Sequence, residues 1–272
     1  MRIGFIGGGN MASSIIGGLV ASGMSASKIW ASDPNADSLA KLKDVAPVNT
    51  GSDNHALIAE VNVLILAVKP QIMKLVAQDI ADAVQAHQPL IISIAAGVTS
   101  GSLAGWLGGN PAIVRCMPNT PALVRSGATG LYANAQVDNV QQQQATTILE
   151  AVGLALWVNQ ENQLDAVTAL SGSGPAYFFL VMEAMQAAGR EMGLSDEVAN
   201  QLTLQTALGA AQMAITSDVD AAELRRRVTS PKGTTERAIN MLEDGGLRQL
   251  FATALNGARI RAEELAIELE GE

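Results

Sequence analysis

Three small residues near the start of the chain, Gly7, Gly9 and Ala12, stand at the spacing G-x-G-x-x-A directly after the apolar residues Ile3, Phe5 and Ile6. That spacing suits a pyrophosphate. The first glycine makes a tight strand-to-helix turn, the second lets backbone come close to phosphate, and the small third residue lets the helix pack on the strand. Phosphates then rest on free N–H groups where the helix opens. Ile6, Gly7, Gly8, Gly9, Asn10 and Met11 are therefore expected to line half of a dinucleotide site.

A second group of chemistry-bearing residues lies late in the chain, in Thr229-Ser230-Pro231-Lys232-Gly233-Thr234-Thr235-Glu236. Hydroxyls, a permissive glycine and the opening amides of a following helix converge there, which makes a receptor for a small carboxylate. Another glycine turn, Leu170-Ser171-Gly172-Ser173-Gly174-Pro175-Ala176-Tyr177, places Pro175 where a helix starts and its missing N–H costs nothing. It reads as a helix entry that packs domains together more than as a ligand contact.

Three further loops follow apolar runs. They are Ala67-Val68-Lys69-Pro70, Ala95-Ala96-Gly97 and Met117-Pro118-Asn119-Thr120-Pro121. Small residues let a flat nicotinamide and its ribose lie against backbone, and proline stiffens a loop at little entropic expense. Lys69 offers a donor to ribose or phosphate. In Ser32-Asp33-Pro34-Asn35, where the adenosine ribose would arrive, Asp33 favours a 2′-hydroxyl and so NADH, whereas Ser32 and Asn35 can hold a 2′-phosphate and so NADPH. Both cofactors stay open.

These loops need a scaffold, and the pattern supplies one. Met11, Ile15, Ile16, Leu19 and Val20 give the first helix an apolar face, Gly23 ends it, and a strand over residues 28–32 closes a βαβ unit of about 30 residues. Residues 62–68 and 89–95 are near-continuous apolar runs, as in parallel strands covered on both faces. Residues 72–86 are helical in composition, and later strands fall at 112–117, 130–133 and 154–158, with a solvated helix around Gln141 to Gln144 between the last two. The expectation is an α/β, Rossmann-type, doubly wound sheet over residues 1–162, with ligands at the C-terminal strand ends.

From residue 163 to 272 the strand signal stops and an all-α domain is expected. Leu247, Leu250, Phe251, Ala254, Leu255 and Ala258 form a helical ladder. The stretch 195–216 carries Val198, Leu202, Leu204, Leu208, Ala211 and Ile215 on more than one face, so it must be buried around most of its circumference. A domain this small calls for a second copy of the chain as part of that cover.

Composition narrows the class. At 272 residues two domains are expected, and a net charge of −9 leaves no basic face for nucleic acid. The triplet Arg225 to Arg227 reads as a solvated helix end. A single cysteine, Cys116, excludes an intramolecular disulfide and fits a reducing compartment. Glycines interrupt the first apolar stretch as they would not in a secretory signal, and no apolar run approaches the ~18 residues of a membrane span. A soluble, cytoplasmic protein is expected. His55 and His87 lie at no ligand spacing, and no metal is expected. Lys232 is the sole lysine of the helical half. Alcohol oxidation needs a strong acid/base residue, whereas a C=N group is basic enough to arrive protonated and asks only for orientation and a hydride.

With these residues in view, the chain resembles the Δ1-pyrroline-5-carboxylate reductase family over essentially its whole length. The resemblance rests on Gly4-Phe5-Ile6-Gly7-Gly8-Gly9-Asn10-Met11, Ala67-Val68-Lys69-Pro70, Ser93-Ile94-Ala95-Ala96-Gly97-Val98, Arg115-Cys116-Met117-Pro118-Asn119-Thr120-Pro121, Ser171-Gly172-Ser173-Gly174-Pro175-Ala176-Tyr177 and residues 229–235, in that order. It implies hydride transfer from NADPH or NADH to C5 of the cyclic imine 1-pyrroline-5-carboxylate, giving L-proline. It further implies that Ser230, Lys232, Gly233, Thr234 and Thr235 surround the substrate, with the Thr235 hydroxyl near the ring nitrogen as hydrogen-bond partner and proton donor. Asn54 would contact the cofactor ribose, and Asp218 matches an acidic position before the substrate loop. Interlocked homodimers, often five in a ring, are implied too. Two departures stand out: Lys232 occupies a position usually held by glycine, and Asp33 one that commonly carries a hydroxyl.

Two other readings compete. A hydroxy-acid dehydrogenase of this architecture would carry a catalytic lysine on the helix entering the second domain, and residues 175–190 contain none. A non-catalytic dinucleotide sensor would not need Thr234 and Thr235.

Overall fold

The computed structural model describes residues 1–271. They divide into two compact units, one of residues 1–173 together with the described residues from 256 onward, the other of residues 174–255. The sequence expectation draws its boundary at 162 and 163. The first unit instead keeps the next short helical stretch and the end of the last helix.

The first unit alternates strand and helix through β1 (Ile3–Ile6), α1 (Asn10–Ala21), β2 (Ile29–Ser32), α2 (Ala36–Val45), β3 (Asn49–Gly51), α3 (Asn54–Glu60) and β4 (Val63–Leu66). It continues with α4 (Pro70–Asp79), α5 (Ala81–His87), β5 (Leu90–Ser93), α6 (Ser100–Leu107), β6 (Ile113–Met117), β7 (Gly127–Ala133), α7 (Asn139–Glu150), β8 (Gly153–Trp157) and α8 (Gln163–Val167). The eight strands form one sheet in the order β3-β2-β1-β4-β5-β6-β7-β8. All neighbours are parallel except β6 and β7. That pair is joined by a single short 3-10 turn, Thr120–Val124, and so lacks the dozen or more residues a parallel crossover requires.

Side chains along each strand alternate between two cores, as a pleat dictates. Val63 and Ile65 join Ile3, Phe5, Ile29 and Ile92 on one face, under Ile15 and Ile16 of α1 and Ile148 and Leu149 of α7. Leu64 and Leu66 join Ile91 and Ile113 on the other, under Ile58 of α3, Met73 of α4, Val84 of α5 and Leu103 of α6. Strands buried on both faces account for the unbroken apolar runs in the sequence. The stretch expected to be helical over 72–86 is helical and divides into α4 and α5 at Ile80 (φ −90°, ψ 1°). Met73, Ala77, Ile80 and Val84 stand at i, i+4, i+7 and i+11 and are all buried, so the apolar face runs on through the break.

After α8 the backbone widens into a π turn, Thr168–Gly172, with the Ser173 amide donating to the Thr168 carbonyl at 2.8 Å. Such bulges are rare and recur at functional sites.

The second unit is all helix: α9 (Gly174–Glu191), α10 (Asp196–Thr216), α11 (Ala221–Arg227), α12 (Thr234–Asp244) and the first part of α13 (Leu247–Gly271). Ser195 caps α10. α9 and α10 pack closely through Gly189 against Ala199, and Gln186 donates to Asn200. Only Ala199 and Thr203 of α10 are buried, while Phe178, Phe179, Leu180, Leu208 and Ile215 are exposed. No helix among the described residues is long and apolar enough to cross a membrane.

Candidate functional site

In an open α/β sheet, ligands bind where the strand order reverses, beyond the C-terminal strand ends. Here that point lies between β1 and β4. The glycine loop leaves β1 there, and its geometry is tightly specified. Gly7 takes φ +102°, and a Cβ on it would meet the Ala67 carbonyl oxygen at 2.5 Å, so no L side chain fits. Its amide donates to the Ser32 carbonyl at 2.8 Å, and the Ala67 amide donates to the Ile6 carbonyl at 2.8 Å. β1, β2 and β4 are thereby locked together at the turn. Gly8 is buried and Gly9 faces open space.

Helix α1 then opens with Gly9 as its cap, no capping side chain and no acidic residue in its first turn. By contrast Asn35, Asp53, Thr99, Asp138, Ser195 and Asp220 cap α2, α3, α6, α7, α10 and α11 with side-chain oxygens. First-turn amides want an acceptor. An open α1 beside a glycine with room above it fits the diphosphate of a dinucleotide. α4 also opens uncapped, from Lys69, with Pro70 in its first turn.

The other expected cofactor residues fall along this edge. Asp33 is half-buried, with Oδ2 accepting the Gly8 amide at 2.7 Å and Oδ1 accepting the Asn35 amide at 2.8 Å. Asn35 spends its carbonyl oxygen on the amides of Asp37 and Ser38, at 2.9 and 3.3 Å. Ser32 is 2 % exposed, and its hydroxyl is buried without a partner. A cleft of about 390 Å³ runs beside it, lined by Trp30, Thr50, Gly51, Asp53 and Leu57. Asn54 is the first residue of α3, after the cap Asp53. Ala67, Val68 and the exposed Lys69 follow β4. Ala95, Ala96 and Gly97 follow β5, with Gly97 at φ +75°. Asn119 behaves differently from a free ligand. Its side-chain nitrogen donates to the Ser171 carbonyl at 3.0 Å and its oxygen accepts the Ala128 amide at 2.8 Å, so the carboxamide is a strut between loops.

Sequence inspection missed a buried polar network behind these loops. Arg115 of β6, 5 % exposed, reaches Glu161 at 3.2 Å and Asp165 at 3.9 Å. Glu161 also accepts the Ser100 amide and hydroxyl, both at 2.6 Å. Burial raises the Asp165 carboxyl above the usual range, opposed by Arg115 and Arg259 and reinforced by Glu263 and Glu161. The signal was there in principle, since an arginine inside the run Ile113-Val114-Arg115-Cys116-Met117 must find buried anions. Burial likewise raises the Cys116 thiol, which leaves it inert.

In the second unit, α12 opens at Gly233 without a capping side chain. Lys232 holds φ +61°, the left-handed conformation that glycine takes most easily, and its amide donates to Glu236 at 2.7 Å. The Gly233 amide turns back to the Ser230 carbonyl at 3.0 Å. Ser230, Thr234 and Thr235 are exposed around this turn. Asp218 is exposed in the loop between α10 and α11. The Tyr177 hydroxyl of α9 is buried and unpartnered.

Comparison with known proteins agrees with both patterns. Residues 161–265 match the family model for pyrroline-5-carboxylate reductase dimerisation, and residues 2–97 match that for NADP oxidoreductase, coenzyme F420-dependent. The chain is 57 % identical to a pyrroline-5-carboxylate reductase of Pseudomonas aeruginosa over 98 % of both chains. It is 39 % identical to human pyrroline-5-carboxylate reductase 2 over 97 % of this chain and 84 % of that one. Its fold matches a solved pyrroline-5-carboxylate reductase of Coxiella burnetii with TM-score 0.94 and 48 % identity, covering 97 % and 98 % of the two chains. The corresponding enzyme of Plasmodium falciparum, solved with NADP bound, matches with TM-score 0.86 and 28 % identity over 98 % of each. The chain belongs to the pyrroline-5-carboxylate reductase family.

Proposed function

We propose that the protein reduces 1-pyrroline-5-carboxylate to L-proline with NADPH or NADH, the last step of proline biosynthesis. The observation that carries this reading is the pair of uncapped helix openings with small-residue approaches, one at Gly9 and α1, the other at Gly233 and α12. The first suits a diphosphate and the second a single carboxylate. The bound cofactor supplies the hydride. The glycine loop holds its diphosphate, and the loops at Ala67 to Pro70 and Ala95 to Gly97 give its ribose and ring flat surfaces of small residues. On the substrate side, the opening amides of α12 with Ser230, Lys232 and Thr234 hold the carboxylate, and Asp218 stands near the turn in sequence. The Thr235 hydroxyl hydrogen-bonds the ring nitrogen; the imine enters as the iminium with its own proton, or as the neutral base to which Thr235 relays a proton while taking one back from solvent. The substrate gains a hydride at C5 and carries a proton at nitrogen, so the balance closes without a metal.

Residues 163–272 form the substrate-binding and dimerisation half in this reading. Its exposed Phe178, Phe179, Leu180, Leu208 and Ile215 are the surface a second copy covers, and we extend the homodimer to a ring of five. A buried lone thiol suits the cytoplasm. The test is oxidation of NADH or NADPH, followed at 340 nm, on adding 1-pyrroline-5-carboxylate. Folded protein that oxidises neither overturns the reading. Thr235→Ala is expected to lower kcat on the order of 10²-fold with cofactor affinity unchanged, the scale of losing a positioned proton donor. An equal loss of cofactor binding would show that Thr235 is misplaced.

A further inference from the structure

The adenosine end of the cofactor edge holds a decision that the bare sequence leaves balanced. Three residues at the end of β2 compete there, two of them suited to a 2′-phosphate and one opposed to it. Packing removes one of the two supporters and occupies half of the other. The Ser32 hydroxyl is buried, with no exposed surface to offer an incoming phosphate. Asn35 has committed its carbonyl oxygen to the cap of α2, which leaves one neutral amide nitrogen as donor.

Asp33, by contrast, is fixed in place. Its two oxygens accept the amides of Gly8 and Asn35 at 2.7 and 2.8 Å. The carboxylate is thus pinned against the loop that turns the cofactor into its site, and it cannot swing away from a phosphate without releasing Gly8. A pinned carboxylate still has free lone pairs for a 2′-hydroxyl, which donates. Toward a doubly charged 2′-phosphate it presents only repulsion.

The segments that build this edge contribute no lysine or arginine of their own. Residues 29–40 and 49–60, which build β2, β3 and the openings of α2 and α3, contain no lysine or arginine. They add the carboxylates Asp37, Asp53 and Glu60, the last paired with Arg2 at 3.5 Å. The one basic side chain among them, His55, faces Asp79 at 3.7 Å.

We infer that Asp33 is the specificity-determining residue that makes this chain select the cofactor with a free 2′-hydroxyl, NADH, over the 2′-phosphorylated NADPH. The inference rests on the proposed dinucleotide site at the glycine loop. Asp33 acts twice: it holds Gly8 in place for either cofactor and repels the one that carries the extra phosphate.

The deciding measurement is calorimetric titration of the whole assembled protein with ADP-ribose and with 2′-phospho-ADP-ribose, which need no turnover. ADP-ribose is expected to bind on the order of tenfold tighter or more, the scale of a like-charge contact of a few ångström near a protein surface. In Asp33→Asn, which keeps an oxygen for the Gly8 amide but loses the charge, the gap is expected to close. The ratio of kcat/KM for NADH over NADPH should fall in parallel. Tighter or equal binding of the 2′-phosphorylated ligand by the unmodified chain overturns the inference, and so does a gap unchanged in Asp33→Asn. If that variant does not fold, the two ligands on the unmodified chain still decide. Oxidation of neither cofactor, with the ADP-ribose preference intact, would overturn the proposed reaction and leave this inference standing.

Discussion

Arg115→Leu tests whether the buried network behind the cofactor loops holds the first unit together. The substitution removes the guanidinium that faces Glu161 at 3.2 Å and Asp165 at 3.9 Å, and leaves two carboxylates with side chains 23 % and 11 % exposed. Breaking a buried ion pair by removing one partner costs about 3–5 kcal/mol. Glu161 keeps both hydrogen bonds from Ser100 and some contact with water, so about 3 kcal/mol is the appropriate figure. At roughly 2–3 °C per kcal/mol for a chain of this size, Tm should fall by roughly 6–9 °C. The pH dependence gives the sharper check. Burial already makes the folded state bind a proton at Asp165 more tightly than the unfolded chain does. Ionised Asp165 is therefore unfavourable to the fold at high pH, and the penalty eases as pH falls through its raised folded pKa. Without Arg115 that pKa rises further, so the deficit should be largest on the alkaline side of that raised pKa and shrink as the medium is acidified. Adding Asp165→Asn should recover part of the loss, because the two residues share one network. Scanning calorimetry at fixed protomer concentration reads all three. A Tm within about 2 °C of the unmodified chain on that alkaline side, or a deficit indifferent to pH, would refute the reasoning.

Two further substitutions probe the backbone. Gly7→Ala adds a Cβ 2.5 Å from the Ala67 carbonyl at φ +102°, so the loop must shift. Affinity for reduced cofactor, followed by fluorescence titration, should drop on the order of tenfold or more, and unchanged affinity would mean the loop does not carry the phosphates. Lys232→Gly relieves a left-handed lysine at φ +61° worth about 1–2 kcal/mol and gives back part of that as unfolded-chain entropy. Tm should rise by about 1–3 °C. A fall would show that the lysine side chain makes a stabilising contact.

Much of the fold is local in origin and could be read from the chain alone. The glycine spacing, the apolar runs and the 3.6-residue ladders mark a doubly wound sheet followed by helices, because a turn or an amphipathic face depends on residues within a few positions of each other. The turn at Gly233 is legible for the same reason. What depends on distant residues was not legible. The Arg115 network arises from how elements meet across the sheet, since its partners Ser100, Glu161 and Asp165 lie far apart in the chain. The state of Ser32, Asp33 and Asn35 is the clearest case. As residue types they leave the 2′-position undecided, and only packing determines which hydroxyl is buried, which carbonyl is spent and which carboxylate stays at the surface. Sequence determined what chemistry could occur along this edge, and tertiary structure decided which polar atoms remain free to perform it, since a hydrogen bond already made inside the protein is no longer available to a ligand.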